Sequence, residues 1–398
     1  MQCLMPVAIA LSLTLLRLDA QTPAAVTKMV AVDGHRLKVR IAGAAQGFLP
    51  TVVFESGIGT PLERWGAIQA EIAKQTATFS YDRAGIGGSE PGTEAPTFPH
   101  IVSELHSLLQ ASGMKPPYLL VGHSLGGPIS RLFVATYPNE VAGLVYVDPG
   151  DFSGAAEKPG QEGSDMVNRL RDQSYANRSA SEQAEYREAR KAERSGFALF
   201  RQLPPMPDLP LVVLLGAIAL PGPSGMDWKS FAAERLRQAV EHAHQWTSEV
   251  SEGWLVVTPN SSHYIQDTEP ELVVWGIRKA LFPEIGRRLA RIPHDQGAKG
   301  ILALYRQLRA SYPAAAFKPN QLNSIAYRFL RAGKVEAAIQ LFQRNVSEFP
   351  SDWNVYDSLG EAYLAAGQRK LAIENYEKSV QLNPGNGNGK KMLEELQK

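Results

Sequence analysis

The 398-residue chain contains a single cysteine, Cys3. No disulfide can form within it, and no thiolate-based zinc site is available. An excess of either charge is also missing: 41 Lys and Arg stand against 40 Asp and Glu, a formal charge of +1. General nucleic-acid binders usually carry a basic surplus, so no nucleic-acid partner is expected. An apolar run of membrane-spanning length is lacking as well. The most apolar stretch, residues 4–16 (LMPVAIALSLTLL), falls short of the roughly 20 residues that a spanning helix needs, so no stable transmembrane span is expected.

That stretch lies at the N-terminus and is followed by Leu18-Asp19-Ala20 and Gln21-Thr22-Pro23. Small residues ahead of a helix-breaking proline suit a signal-peptidase site. A signal peptide over residues 1–20 and export to a periplasmic or secreted location are therefore expected, although no Lys or Arg precedes the run. Apolar residues make up 44% of the chain and charged residues 20%, a core-forming composition. The length suggests two domains.

Two short β-rich runs, 26–32 and 36–41, flank Asp33-Gly34, a hairpin signal. Further runs at 51–55, 77–81, 118–122, 143–148, 211–216 and 254–258 read as buried strands, because most are continuously apolar. Helical stretches at 62–74, 98–112, 125–137 and 229–250 separate them. Alternating strands and helices predict an α/β fold with a mostly parallel sheet. Segment 151–208 interrupts the alternation with a charged stretch, SEQAEYREARKAER. It reads either as a helical lid over the strand ends or as a solvated surface excursion.

From about residue 295 the β signal disappears. Residues Ser324–Pro350 and Ser358–Pro384 align at a constant offset of 34, matching Gly333 with Gly367, Ala338 with Ala372 and Phe342 with Tyr376. A degenerate half-unit, 300–313, precedes them. This period resembles the tetratricopeptide repeat and predicts an all-α C-terminal domain over 295–398, a surface suited to a protein or peptide partner.

The chemistry is carried by Gly122-His123-Ser124-Leu125-Gly126. Gly-x-Ser-x-Gly between a strand and a helix forces a sharp turn that exposes the serine hydroxyl. The two glycines remove side chains that would collide there. Three other blocks share its order with a known superfamily: Phe54–Gly59, Tyr81-Asp82-Arg83-Ala84-Gly85-Ile86-Gly87-Gly88-Ser89, and Ser262-His263-Tyr264 followed by Pro270. With them, residues 27–286 resemble the α/β-hydrolase superfamily, serine-nucleophile branch.

The resemblance implies a nucleophile at Ser124 and a base at His263, last in the order Ser–acid–His. It leaves the acid open between Asp148, at the end of GLVYVD, and Asp227, some ten residues past the following strand. It implies an oxyanion hole of backbone N–H groups from Leu125 and Ile58. Asp82 reads as the holder of its glycine-rich turn. His123 is expected to pack under the elbow. His242 and His244 read as surface residues, and His35, His100, His106 and His294 have no context. No cofactor and no metal are expected, since Gly85–Gly88 lacks the spacing of a nucleotide loop.

The leading expectation is a serine hydrolase of carboxylic esters or related acyl bonds on a small-molecule substrate. An aminopeptidase similar to the proline iminopeptidases is the alternative within enzymes. An inert scaffold binding partners through its helical repeats is the alternative outside them.

Overall fold

The computed structural model of the chain describes residues 25–45, 49–150, 152, 162–219, 227–282, 284–290, 292, 297–312 and 314–398. The expected leader over 1–20, and His294, lie outside these residues. Strands form where the apolar runs stand: β1 (Val26–Val32), β2 (His35–Ala42), β3 (Thr51–Glu55), β4 (Thr78–Tyr81), β5 (Tyr118–Ser124), β6 (Val141–Pro149), β7 (Leu211–Gly216) and β8 (Gly253–Thr258). They make one sheet in the order β1-β2-β4-β3-β5-β6-β7-β8. The β1–β2 and β2–β4 pairs are antiparallel, and the others are parallel. Asp33 and Gly34 both have positive φ, 45° and 86°, as a tight turn between twisted strands requires.

The helices between strands are α1 (Gly66–Ile72), α2 (Phe98–Ala111), α3 (Gly126–Thr136), α4 (Glu162–Ala176), α5 (Ala180–Arg194), α6 (Ala198–Arg201) and α7 (Trp228–Ser248), and α8 (Ile265–Thr268) and α9 (Pro270–Leu281) follow β8. Side chains alternate across each strand, so the sheet has two apolar faces. Val52, Phe54, Val121, Val145 and Leu214 meet Ile68 and Ile72 of α1 and Val273 and Ile277 of α9. Val53, Leu120, Tyr146 and Val213 meet Leu105 and Leu108 of α2 and Ile129 and Phe133 of α3. Covering both faces explains why the central strands are continuously apolar.

Several boundaries differ from the sequence reading, and two strand ends bear on the site. Strand β5 runs on to Ser124 and β6 to Pro149, because the two stay paired through Ser124 opposite Pro149 after a register shift at His123. The insertion contributes α4, α5 and α6. Helix α5 opens with a full capping box between Ser179 and Glu182. Its charged sequence hides a buried face, with Glu185, Tyr186, Ala189 and Arg190 all buried. It is therefore not a solvated excursion along its whole length.

The C-terminal region is helical: α10 (Ile285–Ala290), α11 (Gly297–Ser311), α12 (Pro319–Arg331), α13 (Val335–Glu348), α14 (Trp353–Ala365), α15 (Arg369–Leu382) and α16 (Gly387–Leu396). The α12–α13 and α14–α15 pairs repeat residue for residue at the offset of 34. Gly333 and Gly367, each at φ 72°, turn the chain between partners. Ile285 and Leu289 join this core, so the helical region gathers residues ahead of 295. Among the described residues, no helix is long and apolar enough to cross a membrane.

This region docks at the N-terminal ends of the parallel strands. The Tyr312 hydroxyl donates to the Ala142 carbonyl (3.4 Å), and Arg288 donates to the Asp208 carbonyl (2.6 Å). Glu252, at the same junction, is 1% exposed and accepts the Glu284 N–H. Burial raises the Glu252 pKa from 4.5 to about 7. Through that window the folded chain holds a proton that the unfolded chain has lost, so stability falls as pH rises. The group's share is at most ~3 kcal/mol. We expect Glu252→Gln to lose that share of the decline between pH 4.5 and 8, read as thermal midpoints beside the wild type. Parallel profiles would contradict this.

Candidate active site

The site is assembled at the C-terminal ends of β5, β6 and β7 and on the loop after β8. Ser124 closes β5 with φ 52°, a left-handed conformation rarely adopted by a non-glycine residue. The reversal into α3 depends on two close approaches. A Cβ on Gly122 would lie 2.3 Å from the Gly126 carbonyl oxygen, and one on Gly126 would lie 2.3 Å from that of Glu55. Leu125 is the residue preceding α3 and is buried.

Asp148 stands at the end of the neighbouring strand, also left-handed at φ 41°. One carboxylate oxygen accepts the Gly216 N–H of β7 at 2.9 Å. The other lies 2.6 Å from Nδ1 of His263. Since the carboxylate accepts, Nδ1 carries a proton, and in the neutral ring the lone pair is then on Nε2. Asp227 lies elsewhere: it caps α7, accepting the Ser230 N–H at 3.1 Å. Of the two carboxylates left open by the sequence, the one in contact with His263 is Asp148.

His123 does pack beneath the elbow, and it has a further contact. Its ring is 1% exposed, and its Nε2 lies 2.9 Å from the backbone carbonyl of His263. Burial, reinforced by nearby His263, holds its pKa well below the ordinary value. The ring is therefore neutral, and Nε2–H donates to that carbonyl. The residue before Ser124 thus anchors the loop that carries His263. Glu269 holds the same loop from behind, accepting from Thr258, Asn260 and Ser261. The hydrogen bonds from Ser261 and Thr258 keep its carboxyl below the usual range. Nothing in the sequence distinguished Glu269 from an ordinary helix-start acid.

The loop after β3 lies over the elbow. A Cβ on Gly57 would come within 3.2 Å of the Ser124 Cβ. Ile58 follows it, packed against the core. Trp65 is 1% exposed and donates to the Ser56 hydroxyl, so it braces the loop from the core rather than lining an opening. Asp82 holds its turn as expected, accepting the Leu62 and Gly88 N–H groups. Beside Leu125, the side chains of Pro96, Phe98, Ile101 and Ala189 close against Glu185 and Glu188, leaving no room for a water molecule. A cavity of about 610 Å³ opens on α5, lined by Asp172, Tyr186, Arg187 and Arg190 among others. It shares no lining residue with the elbow or the histidine loop, so it is separate from this site.

Three histidines without sequence context have partners, His100 among them, with Glu94 at 3.5 Å and Glu104 at 3.7 Å. His35 is buried, with Nε2 3.0 Å from Glu104, and His106 stacks on Tyr137. Among the described residues, no cluster of three or more His, Cys, Asp or Glu has an arrangement that could hold a metal ion.

Residues 50–294 match a family described as "alpha/beta hydrolase fold". The uncharacterized protein YqjL of Bacillus subtilis (strain 168) is 32% identical over 249 residues, which covers 62% of this chain and 88% of that protein. The putative carbamate hydrolase RutD of Cronobacter turicensis is 30% identical over 113 residues, 28% of this chain and 42% of that protein. The crystal structure of a putative lipase from Acinetobacter baumannii AYE superposes with a TM-score of 0.47 at 16% identity, over 63% of this chain and 89% of that one.

The tight reversal makes a direct prediction. Gly122→Ala forces a methyl into the Gly126 carbonyl and should destabilise the chain by about 1–3 kcal/mol. Chemical denaturation checks it, and wild-type stability would show that the reversal tolerates a side chain.

Proposed function

The chain belongs to the α/β-hydrolase family, and from that premise we propose that it is a serine hydrolase cleaving a carboxylic ester or related acyl bond through Ser124, His263 and Asp148. The observation that carries this reading is the 2.6 Å contact between Asp148 and His263 Nδ1. It fixes the tautomer that leaves Nε2 as a base, on the loop tethered to His123 beside Ser124.

In this reading His263 takes the Ser124 proton as Oγ attacks the acyl carbonyl. The N–H groups of Leu125 and Ile58 receive the developing oxyanion. His263 then protonates the leaving group, and an acyl-enzyme remains. Water, deprotonated by the same imidazole, releases the acid and restores the serine. Asp148 stays ionised and orients the ring. A carbamate carbonyl would undergo the same addition, which keeps carbamates within the candidate substrates.

The aminopeptidase alternative needs a free carboxylate for a substrate amine. Glu185, the buried acid of α5, has both oxygens engaged by Arg83 and the Gly59 N–H, so it does not supply one. The C-terminal helices are read as tetratricopeptide-type units on their 34-residue spacing, with a protein or peptide as the partner class.

A fluorophosphonate probe should label the full chain at Ser124, and Ser124→Ala should abolish the label. On an ester substrate, Asp148→Asn should lower kcat by about 10³–10⁴-fold. Asp227→Asn should leave kcat unchanged and loosen only the start of α7. No labelling of folded wild-type protein would sink the reading, and a large kcat loss in Asp227→Asn would move the acid.

A further inference from the structure

Arg83 follows Asp82 in the glycine-rich turn after β4, and its guanidinium is buried at 4% exposure. All five of its N–H groups are used. Nε and Nη2 grip the two oxygens of Glu185 at 2.6 and 3.0 Å. Nη2 also donates to the Gly57 carbonyl at 2.6 Å. Nη1 donates to the Ser56 carbonyl at 2.8 Å and to the Glu55 carboxylate. Burial opposes the charge, but the Glu185 and Glu55 carboxylates outweigh it and hold the Arg83 pKa well above its ordinary value. The guanidinium is a fixed cation joining three segments: the end of β3, the turn after β4 and helix α5 of the insertion.

The consequence lies in the peptide planes. In a trans peptide the carbonyl and the following N–H point in opposite directions. Drawing the Gly57 carbonyl onto Arg83 therefore turns the Ile58 N–H away from Arg83. Glu185 fixes the next plane too, accepting the Gly59 N–H at 2.9 Å. Helix α5 fits against two positive-φ glycines. A Cβ on Gly85 would lie 1.9 Å from the Ser181 hydroxyl, and one on Gly59 would lie 2.8 Å from the Glu182 carboxylate.

We propose that Glu185 is a positioning residue: seating α5 through the Glu185–Arg83 pair sets the backbone of residues 56–59, so the oxyanion loop is correctly aimed only when the insertion is docked. The inference rests on the serine-hydrolase reading for its kinetic consequence, but not for its structural one. Glu185 touches no reacting atom. It acts through Arg83 and the Gly59 N–H.

Two readouts on the full chain separate these layers. Hydrogen–deuterium exchange over residues 55–62 should speed up in Glu185→Gln and stay unchanged in Arg187→Gln, a change on the exposed side of the same helix. With an activated ester, Glu185→Gln should lower kcat about 10–100-fold with KM little altered, because the transition state alone loses its donor geometry. Ser181→Trp wedges α5 off Gly85 without touching a buried charge. It should reproduce both effects, and it carries the test if Glu185→Gln fails to fold. Unchanged exchange in the loop overturns the proposal, as does a loosened loop with unchanged kcat or a rise in KM alone. If the wild type turns over no ester and takes no fluorophosphonate, the hydrolase reading fails by itself. The exchange comparison then still decides the clamp.

Discussion

Helix α3 meets strands β3 and β5 backbone against backbone, because a methyl at Gly122 or Gly126 would lie 2.3 Å from a carbonyl oxygen. That closeness shapes the site. It leaves Ser124 nowhere to go but the left-handed region, at the end of a strand rather than within a helix. It brings β5 and β6 into pairing through Ser124 opposite Pro149, which sets Asp148 at the adjacent strand end. It also puts His123 under the histidine loop, where a neutral ring can hold the His263 carbonyl. Strand-end geometry thus delivers three side chains from distant parts of the sequence to one rim.

The sheet was legible because its central strands are buried on both faces and so appear as unbroken apolar runs. Val52–Phe54 and Val212–Leu214 are all 0% exposed. The elbow was legible because its glycines are sterically required. The choice between Asp148 and Asp227 was not, since both precede a turn or helix where an aspartate has ordinary capping work. What separates them is three-dimensional: Asp148 has His263 Nδ1 on one oxygen and the Gly216 N–H of the paired β7 on the other. Glu185 was least visible of all. Its partner Arg83 is 102 residues away, and its neighbours in SEQAEYREARKAER are mostly charged. A stretch of that composition presents a buried face only where a complementary charge already waits inside.

Buried ions such as Glu55, Arg83 and Glu185 are a poor way to gain stability. Their desolvation offsets much of their attraction, while removing one partner typically costs about 3–5 kcal/mol. Their value lies in direction. An apolar contact tolerates sliding, whereas a guanidinium with all five hydrogens committed permits one arrangement of the groups around it. Burial pushes the Glu55 pKa up, and the Arg83 guanidinium and the hydrogen bond from the Tyr81 hydroxyl work against that rise.

The helical region rests on the opposite end of the sheet, against Ala142 and Asp208, while the rim that holds Ser124 lies at the far ends of the same strands. The length of the parallel strands, six residue steps from Ala142 to Asp148 along β6 at about 3.3 Å each, therefore stands between the two. The hydrolase half faces outward from the C-terminal helices like a lamp on a bracket. Attachment at one end keeps the C-terminal helices off the other, where helix α5 of the insertion is seated instead.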